Sequence, residues 1–297
     1  MTARLISGTE IAQQVRSEIS VSVTKFHKRT GKTPGLAAVL VGDDPASRIY
    51  VRNKGRACKE VGIHSETFHL SASTTETELL ELIIQLNSNP TFNGILVQLP
   101  LPPTIDEKTI IQSISPEKDV DGLHPVNLGR LIEGNPRFIP GTPAGIQQLL
   151  LRSGYDTDGK HVVVCGRSNI VGKPIAMLLM QKNVGANATV TLCHTGTKDL
   201  EKFTKNADIL IVATGRPNTI DSSMVKQGVV VIDVGINRIE DSTQERGYRL
   251  AGDVDFESVS ALAEAITPVP GGVGPMTIAM LLQNTLSAAI GQNQTSF

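Results

Sequence analysis

A tyrosine and a lysine one helical turn apart offer the most chemistry in this chain. They lie in residues 44–62, DPASRIYVRNKGRACKEVG, where Asp44 can cap a helix, Pro45 suits its first turn and Gly62 marks its stop. At 100° per residue Tyr50, Lys54, Ala57, Cys58 and Val61 share one stripe, while Arg52, Arg56, Lys59 and Glu60 point the other way. Lys54 is then the one charge on the inward face. A lysine among apolar neighbours loses hydration, which disfavours the ammonium form and leaves a usable amine base near neutral pH. A lone lysine can equally run its stem along the helix and keep its head in water, and a lone tyrosine is commonly a core ring with a satisfied hydroxyl. What sets this pair apart is that two polar heads at i and i+4 emerge at one spot of a pocket wall.

Two further polar groups fall where a ligand is met. Gln98 interrupts the apolar run 94–99, GILVQL, and an amide at the carboxyl end of a parallel strand either faces the ligand cleft or bonds a neighbouring loop. Asp119 and Asp121 precede Gly122 in a turn rich in Pro and Asp. A loop carboxylate is ordinarily solvated; one aimed into a pocket accepts a pair of N–H donors from a heterocycle.

A second centre opens at residues 161–182. HVVVC (161–165) reads as a buried strand, GRSNIVG (166–172) as a turn and KPIAMLLMQK (173–182) as a helix, the order a dinucleotide site requires. The spacing is Gly166-x5-Gly172 rather than G-x-G-x-x-G, so alone it reads equally well as a tight turn packed on a helix. Strands at 188–193, 209–213 and 229–234 then alternate with helical stretches, and Thr214-Gly215 and Gly235-Ile236-Asn237 follow as glycine turns. After the second strand, Cys193-His194-Thr195 brings no acid to take a ribose diol. With Arg167 and Ser168 in the first turn, the site suits a 2′-phosphate, hence NADP over NAD.

The elements that must hold these groups form an α/β chain with room for two domains in 297 residues. The spacing predicts helices over 9–28, 76–87, 107–114, 143–151, 256–264 and 276–290, strands over 36–41 and 63–70, and an exposed hairpin over 237–250. The stretch FIPGTP, 138–143, marks a boundary, and the stiff loop PVPGGVGP, 268–275, can hold backbone amides against a ligand. We expect a catalytic α/β domain over 1–140, joined by a last helix (276–297) that crosses back to it, and a Rossmann-like doubly wound domain over 141–275, with a cleft between them. Balanced charge, 28 basic against 29 acidic residues, argues against nucleic acid or a membrane surface as partner, as do the absence of Trp and 3% aromatics. Three cysteines without a CxxC pair read as free thiols in a reducing cytoplasm, and six histidines without HxH or HxxxH spacing predict no metal site. No signal sequence and no apolar run of membrane-spanning length is expected.

Five separated motifs carry a resemblance: Tyr50-Val-Arg-Asn-Lys54, Gly94-Ile-Leu-Val-Gln-Leu-Pro-Leu-Pro102, Asp119-Val-Asp-Gly-Leu123, Gly166-Arg-Ser-Asn-Ile-Val-Gly-Lys-Pro174 and residues 268–277. In that order they resemble the bifunctional methylenetetrahydrofolate dehydrogenase/cyclohydrolase family. The resemblance implies oxidation of 5,10-methylenetetrahydrofolate by NADP⁺, hydrolysis of the methenyl product in the same cleft, and a homodimer built through the cofactor domain. Carried over by motif, Lys54 is the catalytic base or proton shuttle, Tyr50 stacks on the folate, Gln98 supports Lys54 and Asp121 holds the pterin. Pro270, Gly271 and Gly274 line the folate slot, and Gly166, Arg167, Ser168, Thr195 and Ile236 hold NADP; Thr195 stands where some relatives have serine. Two rival readings stay open on the residues alone. An NADP dehydrogenase of a small hydroxy acid or shikimate-like substrate does not account for Gln98 beside prolines, and a dinucleotide sensor predicts binding without turnover.

Overall fold

Apolar runs too short for helices become the buried strands of two parallel sheets in a computed structural model, which describes residues 3–294 apart from 242, 245 and 246. The chain divides into two units, one made of the residues up to Ala12 with Thr142–Thr277, the other of Gln13–Gly141 with the chain from Ile278 on.

The first part of the chain runs β1 (Arg4–Leu5), α1 (Gly8–Thr30), β2 (Gly35–Val41), α2 (Pro45–Val61), β3 (His64–Leu70), α3 (Glu76–Ser88), β4 (Gly94–Val97), α4 (Glu107–Ser113) and α5 (Pro125–Glu133). Strands β3, β2 and β4 pair in that order as a parallel sheet. The central strand, GLAAVLV, is buried at every position, as a strand covered on both faces must be. The crossovers from β2 to β3 and from β3 back to β4 run in opposite directions, so right-handed connections put α2 and α3 on opposite faces. Ala37, Val39, Val41, Ile95 and Val97 close a core with Leu79, Ile83 and Leu86 of α3 and Ile110 of α4. Strand β4 stops at Val97, shorter than the run 94–99, which leaves Gln98 just past its carboxyl end. Helix α5 opens on Pro125 after a Pro- and Asp-rich stretch that gave no helical periodicity.

The rest runs α6 (Gly141–Arg152), β5 (His161–Cys165), α7 (Gly172–Leu179), β6 (Thr189–Cys193), α8 (Leu200–Thr204), β7 (Ile209–Val212), β8 (Val230–Asp233), β9 (Asn237–Glu240), β10 (Tyr248–Ala251), α9 (Phe256–Ser260), β11 (Ala265–Ile266) and α10 (Val273–Gln294). The large sheet is parallel throughout, ordered β1-β11-β8-β7-β5-β6. From β5 the chain crosses to β6 on one side, while β7 and β8 follow on the other. The strand order therefore reverses between β5 and β7, the place where open α/β sheets bind ligands. Strands β9 and β10 form an antiparallel hairpin that pairs Asn237 with Ala251, one residue past the predicted 237–250.

Four expectations are corrected. Strand β1 pairs with β11 of the large sheet, so the chain's start does not belong with the domain drawn over 1–140; two-residue strands carry no periodic signal. Helices α7 and α9 end early, at Leu179 and Ser260. Helix α10 begins at Val273, inside the glycine–proline stretch, since Pro275 is tolerated in a first turn. Over Val273–Asn293 it is long and apolar enough to cross a membrane, and 61% of its most apolar window is buried inside the protein. Its later turns belong to the unit of the small sheet, where Asn284 Nδ2 donates to Val120 O at 2.8 Å and Ile139 O at 2.9 Å.

Candidate active site

Helix α2 is set by its ends. Asp44 Oδ2 accepts Ser47 N–H at 2.7 Å, Pro45 opens the first turn, and Gly62 closes it at φ 83° with its N–H on the carbonyls of Cys58 and Lys59. The helix buries Ser47, Val51, Lys54, Ala57, Cys58 and Val61. Lys54 is 8% exposed, and its Nζ donates to Gln98 Oε1 at 3.0 Å. Gln98 Nε2 donates in turn to Leu99 O at 2.7 Å, which decides which way the amide points, and Gln98 N donates to Val39 O at 2.9 Å. Burial holds the Lys54 amine below its ordinary pKa, with Asp121 and then Cys58 pulling the other way. The Cys58 thiol is itself pushed up to about 12 by burial, so it stays protonated beside the amine. Tyr50, placed on the inward stripe from spacing, is 39% exposed. It marks the margin of the stripe, next to the equally open Ile49, and Val51 takes its place in the core. An open ring one turn before a buried amine is free to stack on a flat ligand.

The two aspartates that looked alike in the sequence do different work. Asp119, 1% exposed, accepts from Leu123 N at 3.3 Å, His124 N at 2.8 Å and Asn127 Nδ2 at 2.8 Å, and so closes the turn. Asp121 is half-buried and takes no hydrogen bond among the described residues. Burial pushes its carboxyl up from the usual range, Lys54 opposes this, and Asp119 adds to it. Lys54, Gln98 and Asp121 are thus brought together, with an acceptor-rich carboxyl left open to a ligand.

In the other unit, Gly166 follows β5 at φ 125°, and a Cβ there would lie 2.1 Å from Ala213 O after β7. A Cβ on Gly172 would lie 1.9 Å from Gly166 O. The turn after β5 meets the turn after β7 because Gly166 has no side chain, and the start of α7 closes on it because Gly172 has none. Ser168 Oγ accepts Val171 N at 3.1 Å and Gly172 N at 3.4 Å, tying the turn to the start of α7 and leaving its O–H as a donor. Arg167, Ser168 and Thr195 are exposed, and no carboxylate stands in Cys193-His194-Thr195 at the end of β6. This donor set suits a phosphorylated dinucleotide: a bare backbone turn, a guanidinium and hydroxyls, with no anion to repel a 2′-phosphate. Ile236 is 48% exposed, and a Cβ on Gly274 would come within 3.7 Å of its Cδ1. Pro270 is exposed, and Gly271 O accepts Thr9 N–H at 3.0 Å. Pro270, Gly271 and Gly274, the last in the first turn of α10, lie in the same unit as Gly166, whereas Tyr50, Lys54, Gln98 and Asp121 lie in the other.

Sequence reasoning passed over two buried acids of the large-sheet unit, Asp233 (3% exposed) and Asp253 (0%). The signal was present: an acid at the end of the apolar run VVVID and another beside a glycine, both where a parallel strand's end calls for explanation. Among the described residues no three His, Cys, Asp or Glu gather as a metal site, and all three cysteines are free and buried.

A doubly wound NAD(P)-binding unit and a second α/β unit carrying a buried amine define a dinucleotide-dependent enzyme with its own catalytic domain. The catalytic-domain model of tetrahydrofolate dehydrogenase/cyclohydrolase matches residues 6–121, and the NAD(P)-binding-domain model of the same family matches 140–293. A bifunctional protein FolD from Chlorobium phaeovibrioides is 55% identical over 284 residues, 95% of this chain and 96% of that one. The crystal structure of the bifunctional FolD methylenetetrahydrofolate dehydrogenase/cyclohydrolase from Campylobacter jejuni is 48% identical, covers 98% of this chain and 99% of that one, and superposes with a TM-score of 0.91. The Trypanosoma brucei FolD, solved with NADP and an inhibitor, is 39% identical with a TM-score of 0.93, covering 99% of each chain. The chain belongs to the tetrahydrofolate dehydrogenase/cyclohydrolase family.

Proposed function

We propose that Lys54, oriented by Gln98 and flanked by Asp121, moves the protons in the second of two reactions that this chain carries out. The chain is a bifunctional one-carbon enzyme: with NADP⁺ it oxidises 5,10-methylenetetrahydrofolate to 5,10-methenyltetrahydrofolate, then hydrolyses that product to 10-formyltetrahydrofolate. NADP⁺ held at Gly166, Arg167, Ser168, Thr195 and Ile236 supplies the hydride acceptor. Loss of hydride from a carbon between two nitrogens leaves a cation that both nitrogens delocalise, so this step asks for positioning rather than a strong base or a metal. Tyr50 stacks on the folate and the Asp121 carboxyl takes N–H donors of the pterin.

Hydrolysis asks for more. Water adds to the cationic carbon and must lose a proton, and a ring nitrogen must gain one as its bond to that carbon breaks. A neutral Lys54 amine takes the first proton and, as ammonium, returns it to the nitrogen, while the water's second proton leaves to solvent as the formyl C=O forms and carries away the charge of the cation. The observation that carries this assignment is the buried Nζ on Gln98 Oε1, with its pKa held down by burial. Three free, buried thiols support a reducing cytoplasmic setting, and the family resemblance supports a homodimer through the cofactor domain. Mixing purified protein with methylenetetrahydrofolate and NADP⁺ tests the whole reading: NADPH absorbance should rise and 10-formyltetrahydrofolate accumulate. No NADPH would sink it.

A further inference from the structure

The carboxyl ends of β7 and β8 lead into loops with exposed tips. Gly215 and Arg216 after β7 are exposed, and Gly235-Ile236 after β8 carries an isoleucine 48% exposed. Both loops are nonetheless fastened from beneath by Asp253, which is fully buried. Its Oδ2 accepts Thr214 N at 2.6 Å and Gly215 N at 2.8 Å; its Oδ1 accepts Asn237 Nδ2 at 2.8 Å; its carbonyl accepts Thr219 N at 2.6 Å.

Asp253 is seated in turn by the second acid. Asp233 Oδ1 accepts Asp253 N and Gly235 N, both at 2.9 Å, and Oδ2 accepts Val254 N at 3.0 Å. The arrangement is reciprocal. A Cβ on Gly235, two residues after Asp233, would lie 2.2 Å from Asp253 Oδ1, and a Cβ on Gly252, just before Asp253, would lie 1.8 Å from Asp233 Oδ2. Each acid thus fits only because the other's neighbour is glycine. A carboxylate bonded by two consecutive backbone N–H groups and one side-chain amide is a strong, directional anchor, since charged acceptors make the tighter hydrogen bonds.

We propose that Asp253, seated by Asp233, is a positioning residue for NADP: it holds the loops after β7 and β8 in the shape the cofactor meets, so that binding does not have to order them. This rests on the reading that the turn after β5 and the loop carrying Ile236 hold NADP.

The test compares Asp253→Ala and Asp253→Asn in the full-length protein. Readouts are NADP⁺ affinity by calorimetry, the KM for NADP⁺ against kcat of the dehydrogenase, and, without NADP⁺, hydrolysis of methenyltetrahydrofolate, whose proton-moving group, Lys54, lies in the other unit. Asp253→Ala should weaken NADP⁺ tenfold or more, mainly through KM, with hydrolysis within twofold of the parent. Asp253→Asn can keep both loop N–H bonds on its carbonyl and give its amide to a turned Asn237, so affinity should return to within threefold. Unchanged affinity in Asp253→Ala, or hydrolysis falling in step with it, overturns the proposal. Should Asp253→Ala fail to fold, Asn237→Ala removes one loop's tie alone. It should raise the KM for NADP⁺ severalfold, and an unchanged KM counts against the role. Arg167→Ala separates the two layers: if it leaves NADP⁺ binding intact, the cofactor reading itself falls, whereas weakening there with none in Asp253→Ala removes only the positioning role.

Discussion

At the scale of single residues, the proposed chemistry turns on the balance at Lys54. Burial favours the neutral amine, while Asp121 draws it back toward ammonium, and a group held between those pulls can both take and return a proton. Lys54→Met keeps the stem's length and apolar contacts but has no basic nitrogen. We expect it to lose methenyltetrahydrofolate hydrolysis by a factor of about 10² or more, the usual worth of a general base, while a folate still binds by fluorescence titration. Retained hydrolysis would refute the assignment. On the cofactor side Arg167 is exposed, with no carboxylate at the end of β6 to occupy it. Arg167→Ala should weaken NADP⁺ more than NAD⁺ in parallel titrations, and equal losses would remove the 2′-phosphate from its contacts. Spacing alone brought out Lys54 because it was the one charge on an apolar stripe. It could not tell Asp119 from Asp121, two residues apart in one turn, because which of them bonds Leu123, His124 and Asn127 depends on how the turn closes.

At the scale of elements, the cofactor turn depends on how near α7 can come to β5. Gly172 begins that helix with its Cα against Gly166 O, and a methyl group 1.9 Å from a carbonyl oxygen cannot be accommodated by a side-chain shift, since the oxygen is backbone. Gly172→Ala should therefore push α7 away, lower stability by about 1–3 kcal/mol and weaken NADP⁺, read by urea unfolding and calorimetry on one preparation. A variant with parent-like stability and affinity would mean that the close approach is dispensable. Long periodic helices and continuous apolar strands were legible: α2 was placed by Asp44, Pro45 and Gly62, and β2 by LAAVLV. What escaped was short or set by tertiary partners. The two-residue strands β1 and β11 are defined only by their pairing, β1 on β11 and β11 on β8, and Asp233 read as the end of a strand because nothing local says that its carboxyl turns inward to Gly235, Asp253 and Val254.

At the scale of the whole molecule, buried acids tie folding to pH. Asp233 is 3% exposed with a carboxyl pushed up to about 6, chiefly by burial and in part by Asp253, against the ordinary value of 3.8. A folded-state pKa above the unfolded one means that the folded chain favours the protonated acid. Its contribution to stability is complete below the unfolded value and is lost as pH rises through about 6. A shift of this size corresponds to at most about 3 kcal/mol, at 1.36 kcal/mol per pKa unit. Asn at this position keeps a carbonyl for Gly235 N and Asp253 N, forfeits the acceptor for Val254 N, and has no proton to lose. Asp233→Asn should accordingly be the less stable protein near pH 4 and gain on the parent by about 2–3 kcal/mol between pH 4 and pH 7. Subtraction cancels the other titrating groups common to both, including Asp119 and Asp121. Urea unfolding of parent and variant at matched pH values measures the difference directly. A difference that stays constant across that range would mean that the carboxyl of Asp233 is not shifted on folding, and that its N–H donors balance its burial.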